Sequence, residues 1–457
     1  MKNLILSLTF LFNLQTYASL EKAGKIFMQD ALSSKDQISI IKKLYNKKLY
    51  FSSAHFARKY LIHSEDPYKD MDQILEKLVL RTGTTAFMDL PHSILKKNGY
   101  KTLSFIAALK HFNNRQYSQT IKRLEAISSN HRFTPEALLI SGTSHSLTNK
   151  FPAALKKYDE CIKSANNFES QAKDEKLKRY YAIISESCVI EKARVAYKNG
   201  NFALAQESYR KIPTKSYRWP YIILEQAWAS YANEDYNRSL GLLVTYKSPL
   251  LKSYFMPEGA TLRSLNYFRL CLWSDSLQVI NEYYNTYKSK SDALKNLILP
   301  HKNSDTYFIN LVNKSSSKTD NLNPFIRNLA TQTKKTIKYN IDLVNYKALV
   351  SEKNRITKFY KQKKSKLLLY LHKRLGQEKT WRLKKLNHFV KTEMFGFLNQ
   401  MHKNSFEMVN IKLEILFRKR DMLYQNKTVN KDRARGSLEN VRRGANQHFY
   451  TFRGAFW

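Results

Sequence analysis

The side chains that most often carry catalysis are present in this sequence without the spacing that catalysis needs. The eleven histidines are scattered, and the chain contains no H-E-x-x-H zinc motif, no G-x-S-x-G nucleophile turn and no G-x-x-x-x-G-K-[ST] phosphate loop. A single histidine such as His145 or His372 is more often packed or solvated than catalytic. The sequence therefore predicts no catalytic residue, no metal ligand and no cofactor.

One enzyme class has a sequence signature that can be sought here, since its catalytic acid is a Glu followed by Ser. Exported murein lytic transglycosylases join a helical array to a C-terminal lysozyme-like domain that carries this pair. Here the Glu-Ser pairs are Glu169-Ser170, Glu186-Ser187 and Glu207-Ser208. None of them lies in the C-terminal region, so the sequence predicts that this protein is not such an enzyme.

The three cysteines do not form a recognisable framework. Cys161, Cys188 and Cys271 are odd in number and have no C-x-x-C spacing, which excludes a zinc cage and a dense set of disulfides. In an oxidising compartment Cys161 and Cys188 could pair across neighbouring helices. The alternative, which the sequence favours, is that these cysteines are buried free thiols acting as small apolar groups.

Basic residues dominate the charge of the chain. Lys and Arg number 78 against 37 Asp and Glu, a net charge of +41, and residues 323–457 alone hold 31 basic and nine acidic residues. Such a charge draws a protein toward anionic lipids, polymers or acidic partners. The predicted polyanion-binding residues are Lys363, Lys364, Lys366, Arg418, Lys419 and Arg420. A solvated basic face is the alternative interpretation.

The N-terminus has the pattern of a secretory signal peptide. Lys2 precedes an apolar stretch from Leu4 to Leu14, and small residues end at Ala18. Eleven residues rise only about 16 Å as a helix, about half of a hydrocarbon core, so the stretch is too short to span a membrane. We expect cleavage after Ala18 and export to the periplasm or cell envelope, where nucleic acid is an unlikely partner.

A repeat runs through the first two thirds of the chain. Small residues recur at spacings of 34, 51 and 34, and each is followed nine residues later by an aromatic, twelve later by a second small residue and sixteen later by a large one. The four columns are Ala108, Gly142, Ala193, Ala227; Tyr117, Phe151, Phe202, Tyr236; Thr120, Ala154, Ala205, Ser239; and Leu124, Tyr158, Tyr209, Leu243. This pattern predicts one helical hairpin per unit, with a 17-residue insertion at 163–179 that lengthens the flanking helices or forms a ligand-facing loop.

The pattern resembles the tetratricopeptide repeat family, whose 34-residue units are stacked helix-turn-helix hairpins. The best matches are Gly142-Phe151-Ala154-Tyr158 and Ala193-Gly200-Phe202-Ala205-Tyr209-Pro213. The resemblance covers about residues 34–290 and implies a scaffold that binds a protein or peptide on its concave face. Within a repeat domain at 19–287, the clearest units span 101–134, 135–168, 186–219, 220–253 and 257–290. The residues that this resemblance would place on the concave face are His111, His145, Tyr197 and Tyr231.

The last third of the chain has a different pattern. Polar runs predict a linker at 288–323, and helix-compatible sequence predicts a basic long-helix region at 324–427, folded back as a hairpin or forming a coiled coil with a partner. Spacings of three and four residues predict buried faces at Ile337, Ile341, Val344, Ala348 and at Met408, Ile411, Ile415, Met422. A basic aromatic tail at 428–457 is expected to dock on these helices or in a partner.

The sequence as a whole predicts an all-α protein, a solenoid of helical hairpins followed by basic long helices. Its expected function is that of a non-enzymatic exported scaffold that mediates protein-protein interaction in the bacterial cell envelope. The alternative is an envelope protein that binds a polyanion, such as anionic lipid or a cell-wall polymer, through its basic C-terminal helices.

Overall fold

The computed structural model describes residues 20, 22–27, 33–64, 68, 70–97, 99–251, 254–317, 321–362 and 364–425. All regular secondary structure in these residues is helical. The chain forms two compact units. Unit 1 consists of Met1–Val195 with Asn340–Leu386, and unit 2 of Ala196–Tyr339 with Asn387–Trp457. The predicted signal peptide and the predicted tail lie outside the described residues.

Six helical hairpins follow one another along the chain, each made of two helices joined by three residues. In order, hairpins 1 to 6 are Ser34–Asn46 with Tyr50–His63, Lys101–Asn113 with Tyr117–Leu124, Thr134–Leu147 with Phe151–Gln171, Glu175–Lys198 with Phe202–Arg210, Trp219–Ala232 with Tyr236–Val244, and Pro257–Arg269 with Trp273–Ile298. The boundary between the units falls inside the first helix of hairpin 4. Hairpin 2 packs on hairpin 3 in unit 1, and hairpin 5 packs on hairpin 6 in unit 2. The predicted all-α solenoid is confirmed.

The same turn joins the two helices of every hairpin. The residue two positions before the second helix has a left-handed backbone, with φ between 57° and 77°, and the next residue donates its N–H to the carbonyl five residues back at 2.9 to 3.0 Å. This is the bond pattern of a Schellman turn. The left-handed residues are Lys48, Arg115, Asn149, Gly200, Glu234 and Cys271. Within the described residues, this turn is therefore shared by the five hairpins that lie at the clearest predicted units and by hairpin 1, which precedes them.

Small side chains hold the two helices of each hairpin together. The third residue after the start of each second helix is fully buried, and it is Ser53, Thr120, Ala154, Ala205, Ser239 or Ser276. Where it carries a hydroxyl, that hydroxyl donates to the carbonyl twelve residues earlier, as Ser239 does to Ala227 at 2.9 Å and Ser276 to Ser264 at 3.0 Å. A small residue thus permits close approach and also satisfies its own polar atom.

Other helices lie before hairpin 2 and after hairpin 6. Between hairpins 1 and 2 are Met71–Thr82, the 3-10 turn Thr84–Ala86 and His92–Leu95, and after Val244 comes the 3-10 turn Thr245–Lys247. Hairpin 6 is followed by Tyr307–Lys314, Pro324–Lys335, Ile337–Gln362 and Lys366–Tyr424. The last of these, the long helix, has 59 residues. The predicted long helices in this region are therefore present.

The segment predicted as a linker, 288–323, contains ordered helix. The second helix of hairpin 6 continues through it to Ile298, and Tyr307–Lys314 is a separate helix. Leu294, Ile298 and Phe308 are completely buried. The reason is that isolated apolar residues between the polar runs reach the core once neighbouring helices supply a surface.

The buried face of helix Ile337–Gln362 differs from the one predicted. Ile341 and Val344 were expected to be buried, but they are 54% and 63% exposed. Leu349, Glu352 and Ile356 are buried instead. The helix carries apolar residues on more than one face, and the face that turns inward is the one on which Leu349 and Ile356 pack in the core and Glu352 bonds to hairpin 1.

The 17-residue insertion lengthens both helices beside it. The second helix of hairpin 3 has 21 residues and the first helix of hairpin 4 has 24, with three residues between them. A disulfide joins Cys161 to Cys188 across these helices, with the Cα atoms 6.2 Å apart. The paired state of these two cysteines thus replaces the free thiols that the sequence favoured, while Cys271 is a free, exposed thiol.

Candidate functional site

Two of the four residues predicted on a concave face pack across their own hairpin turns. Tyr197 lies on Phe202 with ring centroids 5.4 Å apart, and Tyr231 lies on Tyr236 at 5.6 Å. Rings five residues apart make the same contact in hairpins 1 and 2, at 5.3 and 5.8 Å. Burial raises the pKa of Tyr197, and nearby Tyr231 adds to this shift. Both rings therefore have a structural role within the repeat.

The two histidines lie one position earlier in their hairpins, before Phe112 and Ser146. The carbonyls of His111 and His145 accept the turn hydrogen bonds from Gln116 and Lys150, both at 2.9 Å. The His111 ring is buried, and its Nδ1 lies 2.6 Å from the side-chain oxygen of Gln116. Burial lowers the pKa of His145, and the positive charges of Lys150 and Lys157 lower it further. The turn therefore uses the backbone of both histidines and the ring of His111, whereas the buried Nδ1 of His145 has no hydrogen-bond partner among the described residues.

The predicted polyanion-binding residues fall at two ends of the long helix. Lys364 and Lys366 are exposed at its beginning in unit 1, while the side chain of Lys363 lies outside the described residues. Arg418, Lys419 and Arg420 lie near its C-terminal end in unit 2. The structure therefore places the two basic clusters in different units.

Within unit 2, hairpin 6 forms hydrogen bonds with two backbone carbonyls and one side chain of the long helix. The hydroxyls of Tyr283 and Tyr284 donate to the carbonyls of Met401 and Ser405, at 2.7 and 2.8 Å. A third contact joins the Thr261 hydroxyl to the side-chain oxygen of Asn404 at 2.7 Å. These bonds hold one side of the helix against the hairpin.

Apolar packing continues this contact toward the end of the helix. Met408, Ile411 and Ile415 are buried in one cluster with Tyr267 and Ile280 of hairpin 6. This confirms the inward face predicted from the sequence for those three residues. Hairpin 6 therefore contacts one side of the long helix, through hydrogen bonds at Met401 to Ser405 and through apolar packing at Met408 to Ile415.

The opposite face of the same segment carries a second apolar surface that is open to solvent. Its seven large side chains are 42% to 83% exposed. We call it the terminal stripe; it consists of Phe406, Val409, Leu413, Leu416, Phe417, Leu423 and Tyr424. Isolated exposed apolar residues are ordinary, but a set of this size on one helix face, interrupted by Arg420 alone, is typical of an interaction surface.

The spacing of the terminal stripe is that of a helix-packing seam. Steps of three and four residues link Phe406, Val409, Leu413 and Leu416, the pattern of alternating a and d positions in a heptad. The stripe extends about 27 Å along the helix, at about 1.5 Å for each residue. A surface of this length and width matches a second helix.

The terminal stripe was not among the predicted sites, although its spacing is visible in the sequence. Both faces of this helix show steps of three and four residues, and the face with Met408, Ile411 and Ile415 was the one identified. A helix with two apolar faces and a single covering hairpin leaves one face exposed. That double periodicity was the available signal for the site.

The described residues offer little support for other kinds of site. They contain no group of three or more His, Cys, Asp or Glu side chains arranged to hold a metal ion. Among the same residues, no helix is both long and apolar enough to cross a membrane. A shallow groove lies along helix Ile337–Gln362, but it is lined by that helix alone.

No family model matches the sequence, and no curated protein is significantly similar to it. The contacts and charges of the chain itself therefore carry the functional argument.

Proposed function

We propose that this protein is a non-enzymatic scaffold that binds another protein, with the terminal stripe as its principal contact. The observation that carries the proposal is the open apolar face of the long helix, directly opposite the face that hairpin 6 covers. Because the helix is held at Met401 and Ser405, the stripe is presented on a supported surface. Such preorganisation reduces the entropy lost on binding.

The hairpin array supports the scaffold part of the proposal. Six hairpins with one turn geometry resemble the tetratricopeptide type, and stacked repeats commonly serve as platforms for binding. Three of the residues predicted on the concave face, Tyr197, Tyr231 and His111, make side-chain contacts across their own hairpin turns. We therefore assign the binding contact to the terminal stripe. The signal-peptide pattern at residues 1–18 supports export to the periplasm or cell envelope.

A second candidate function is binding of an anionic lipid or cell-wall polymer. It is favoured by the exposed Lys364 and Lys366 and by the basic residues Arg418 to Arg420. Affinity based on such contacts would fall linearly with salt on a log-log plot. An apolar contact would respond weakly to salt, so a salt series separates the two functions.

Replacing both Leu413 and Leu416 with Ser should weaken partner binding without unfolding the protein. The two side chains are half exposed at the centre of the stripe, where loss of apolar anchors commonly costs about tenfold or more in affinity. The measurement is quantitative capture of proteins from envelope extract by the full chain and by the variant. Circular dichroism and thermal unfolding verify that both are folded.

A matched control for this variant is Leu250→Ser. Leu250 is 86% exposed in unit 2 and does not belong to the terminal stripe. It should leave capture unchanged. Equal capture by the stripe variant and the wild type would contradict the assignment of the binding contact to the stripe.

A further inference from the structure

Two lysines run along one edge of the terminal stripe. Lys412 and Lys419 are seven residues apart, so they lie on the same side of the helix, and Lys412 is exposed while Lys419 is half-buried. Neither forms an ion pair within the described part of the chain. Their positive charges are therefore available to an approaching molecule.

Acidic residues lie along the other edge. Glu407, Glu414 and Asp421 also recur every seven residues, on the opposite side of the stripe from the lysines. Glu414 binds Arg418 at 3.1 Å, and Asp421 binds Arg420 at 2.8 Å. The negative charges on this edge are therefore largely neutralised within the helix, whereas the lysine edge is not.

The difference in charge between the two edges bears on which molecule could cover the stripe: an anionic bilayer, a partner helix or a second copy of this chain. An anionic bilayer would be attracted by the lysine edge but would gain no attraction from the neutralised acidic edge, although both edges would meet the same surface. A partner helix can place different residues against each edge. A second copy of this chain is opposed by its charge of +41.

We infer that the terminal stripe binds an amphipathic helix of the partner protein whose flank toward Lys412 and Lys419 is acidic. The apolar face of that helix would cover the stripe, and its carboxylates would lie beside the two ammonium groups. Apolar burial then supplies most of the affinity, and the charges supply selectivity. This inference rests on the proposed function and specifies the chemistry of the partner.

The test uses the full chain and two designed helical peptides of about three heptads each. Both peptides have Leu at the a and d positions; one has Glu at both flanking positions and the other has Lys. Fluorescence anisotropy measures the two affinities at low salt and near physiological salt. We expect the Glu peptide to bind about tenfold or more tightly than the Lys peptide, with the difference falling as salt screens the charges.

Charge reversal supplies the decisive variant. Lys412→Glu with Lys419→Glu should remove the preference for the Glu peptide or invert it. The matched control is Lys288→Glu with Lys295→Glu, which makes the same change in charge at the same seven-residue spacing on an exposed face of hairpin 6. The control should retain the preference of the wild type.

The remaining outcomes distinguish the two proposals. Equal affinity for both peptides, or no binding of the Glu peptide, would overturn the acidic partner. If stripe-dependent capture from extract persists in that case, the protein-binding function still stands. Tighter stripe-dependent binding to vesicles of phosphatidylglycerol and phosphatidylcholine, or dimerisation lost on Leu413→Ser with Leu416→Ser, would also overturn the acidic helix.

Discussion

Replacing Glu352 with Ala should lower the free energy of unfolding by about 3 kcal/mol, because it leaves buried donors without an acceptor. The Glu352 carboxylate accepts from the backbone N–H of Phe51 at 3.0 Å and of Ser52 at 2.8 Å, and from the Ser52 hydroxyl at 2.7 Å. These donors open the second helix of hairpin 1. Leu49, at the N-cap of that helix, makes no side-chain capping bond.

The contact of Glu352 is a helix cap supplied from 300 residues away. Its negative charge also lies at the positive end of the helix dipole. Denaturant unfolding of the full chain measures the loss, and hydrogen exchange at Phe51 and Ser52 locates it. Glu414→Ala, on an exposed ion pair, is the control and should cost less than about 0.5 kcal/mol. Equal losses in the two variants would contradict the capping role.

The same residue makes stability depend on pH in a defined window. Burial raises the pKa of Glu352 to about 6 from 4.5, although its hydrogen bonds with Ser52 and Phe51 act in the opposite direction. The folded chain therefore holds this proton more tightly than the unfolded chain. Its contribution to stability is fully present below pH 4.5 and is lost as pH rises to about 6, by up to about 2 kcal/mol.

Comparison with Glu352→Gln isolates this effect from other titrating groups. His55 acts in the opposite direction, because burial lowers its pKa to about 3, but it is present in both proteins and its contribution cancels. The stability of the wild type relative to the variant should therefore be greater at pH 4.5 than at pH 7. A difference that stays constant across this range would show that Glu352 does not titrate there.

Replacing Gly142 with Ala should destabilise the protein by about 2 kcal/mol, through overpacking. A Cβ at this position would lie 2.7 to 3.0 Å from three atoms of the Tyr158 ring. Tyr158 is fully buried, so its ring has little room to move. Hairpin 5 has Ala227 with the smaller Leu243 at the corresponding positions.

Gly241→Ala is the matched control for this prediction. Gly241 is also helical, but a Cβ there meets nothing within 4 Å. This variant should be stabilised by up to about 1 kcal/mol, since Ala has the higher helix propensity. Thermal and denaturant unfolding should therefore give opposite signs for the two substitutions.

A second substitution tests the cause of the loss at Gly142. Tyr158→Leu in the Gly142→Ala background removes the ring that the new methyl group would meet. The double variant should recover part of the loss, so that the two changes are not additive. Additive losses would contradict steric conflict as the cause.

The hairpin repeat was determined by sequence alone. A small residue, an aromatic nine residues later and a second small residue three beyond it predicted the hairpins, because helix period and turn chemistry are local properties. The left-handed turn residues and the buried positions of Ala154 and Ser239 follow from that pattern. Tyr197 and Tyr231 could not be recognised as turn residues, since their role depends on a contact with the ring five residues later.

The tertiary structure decided which apolar faces are covered. Ile341 and Val344 have the same spacing as a buried face but are exposed, whereas Leu349 and Glu352 of the same helix are buried and Glu352 bonds to hairpin 1. The long helix likewise carries two apolar faces, and hairpin 6 covers only the one with Met408 and Ile411. Periodicity along a helix shows that a face is able to pack. Only contacts between residues distant in sequence determine what packs there, and they leave the terminal stripe exposed.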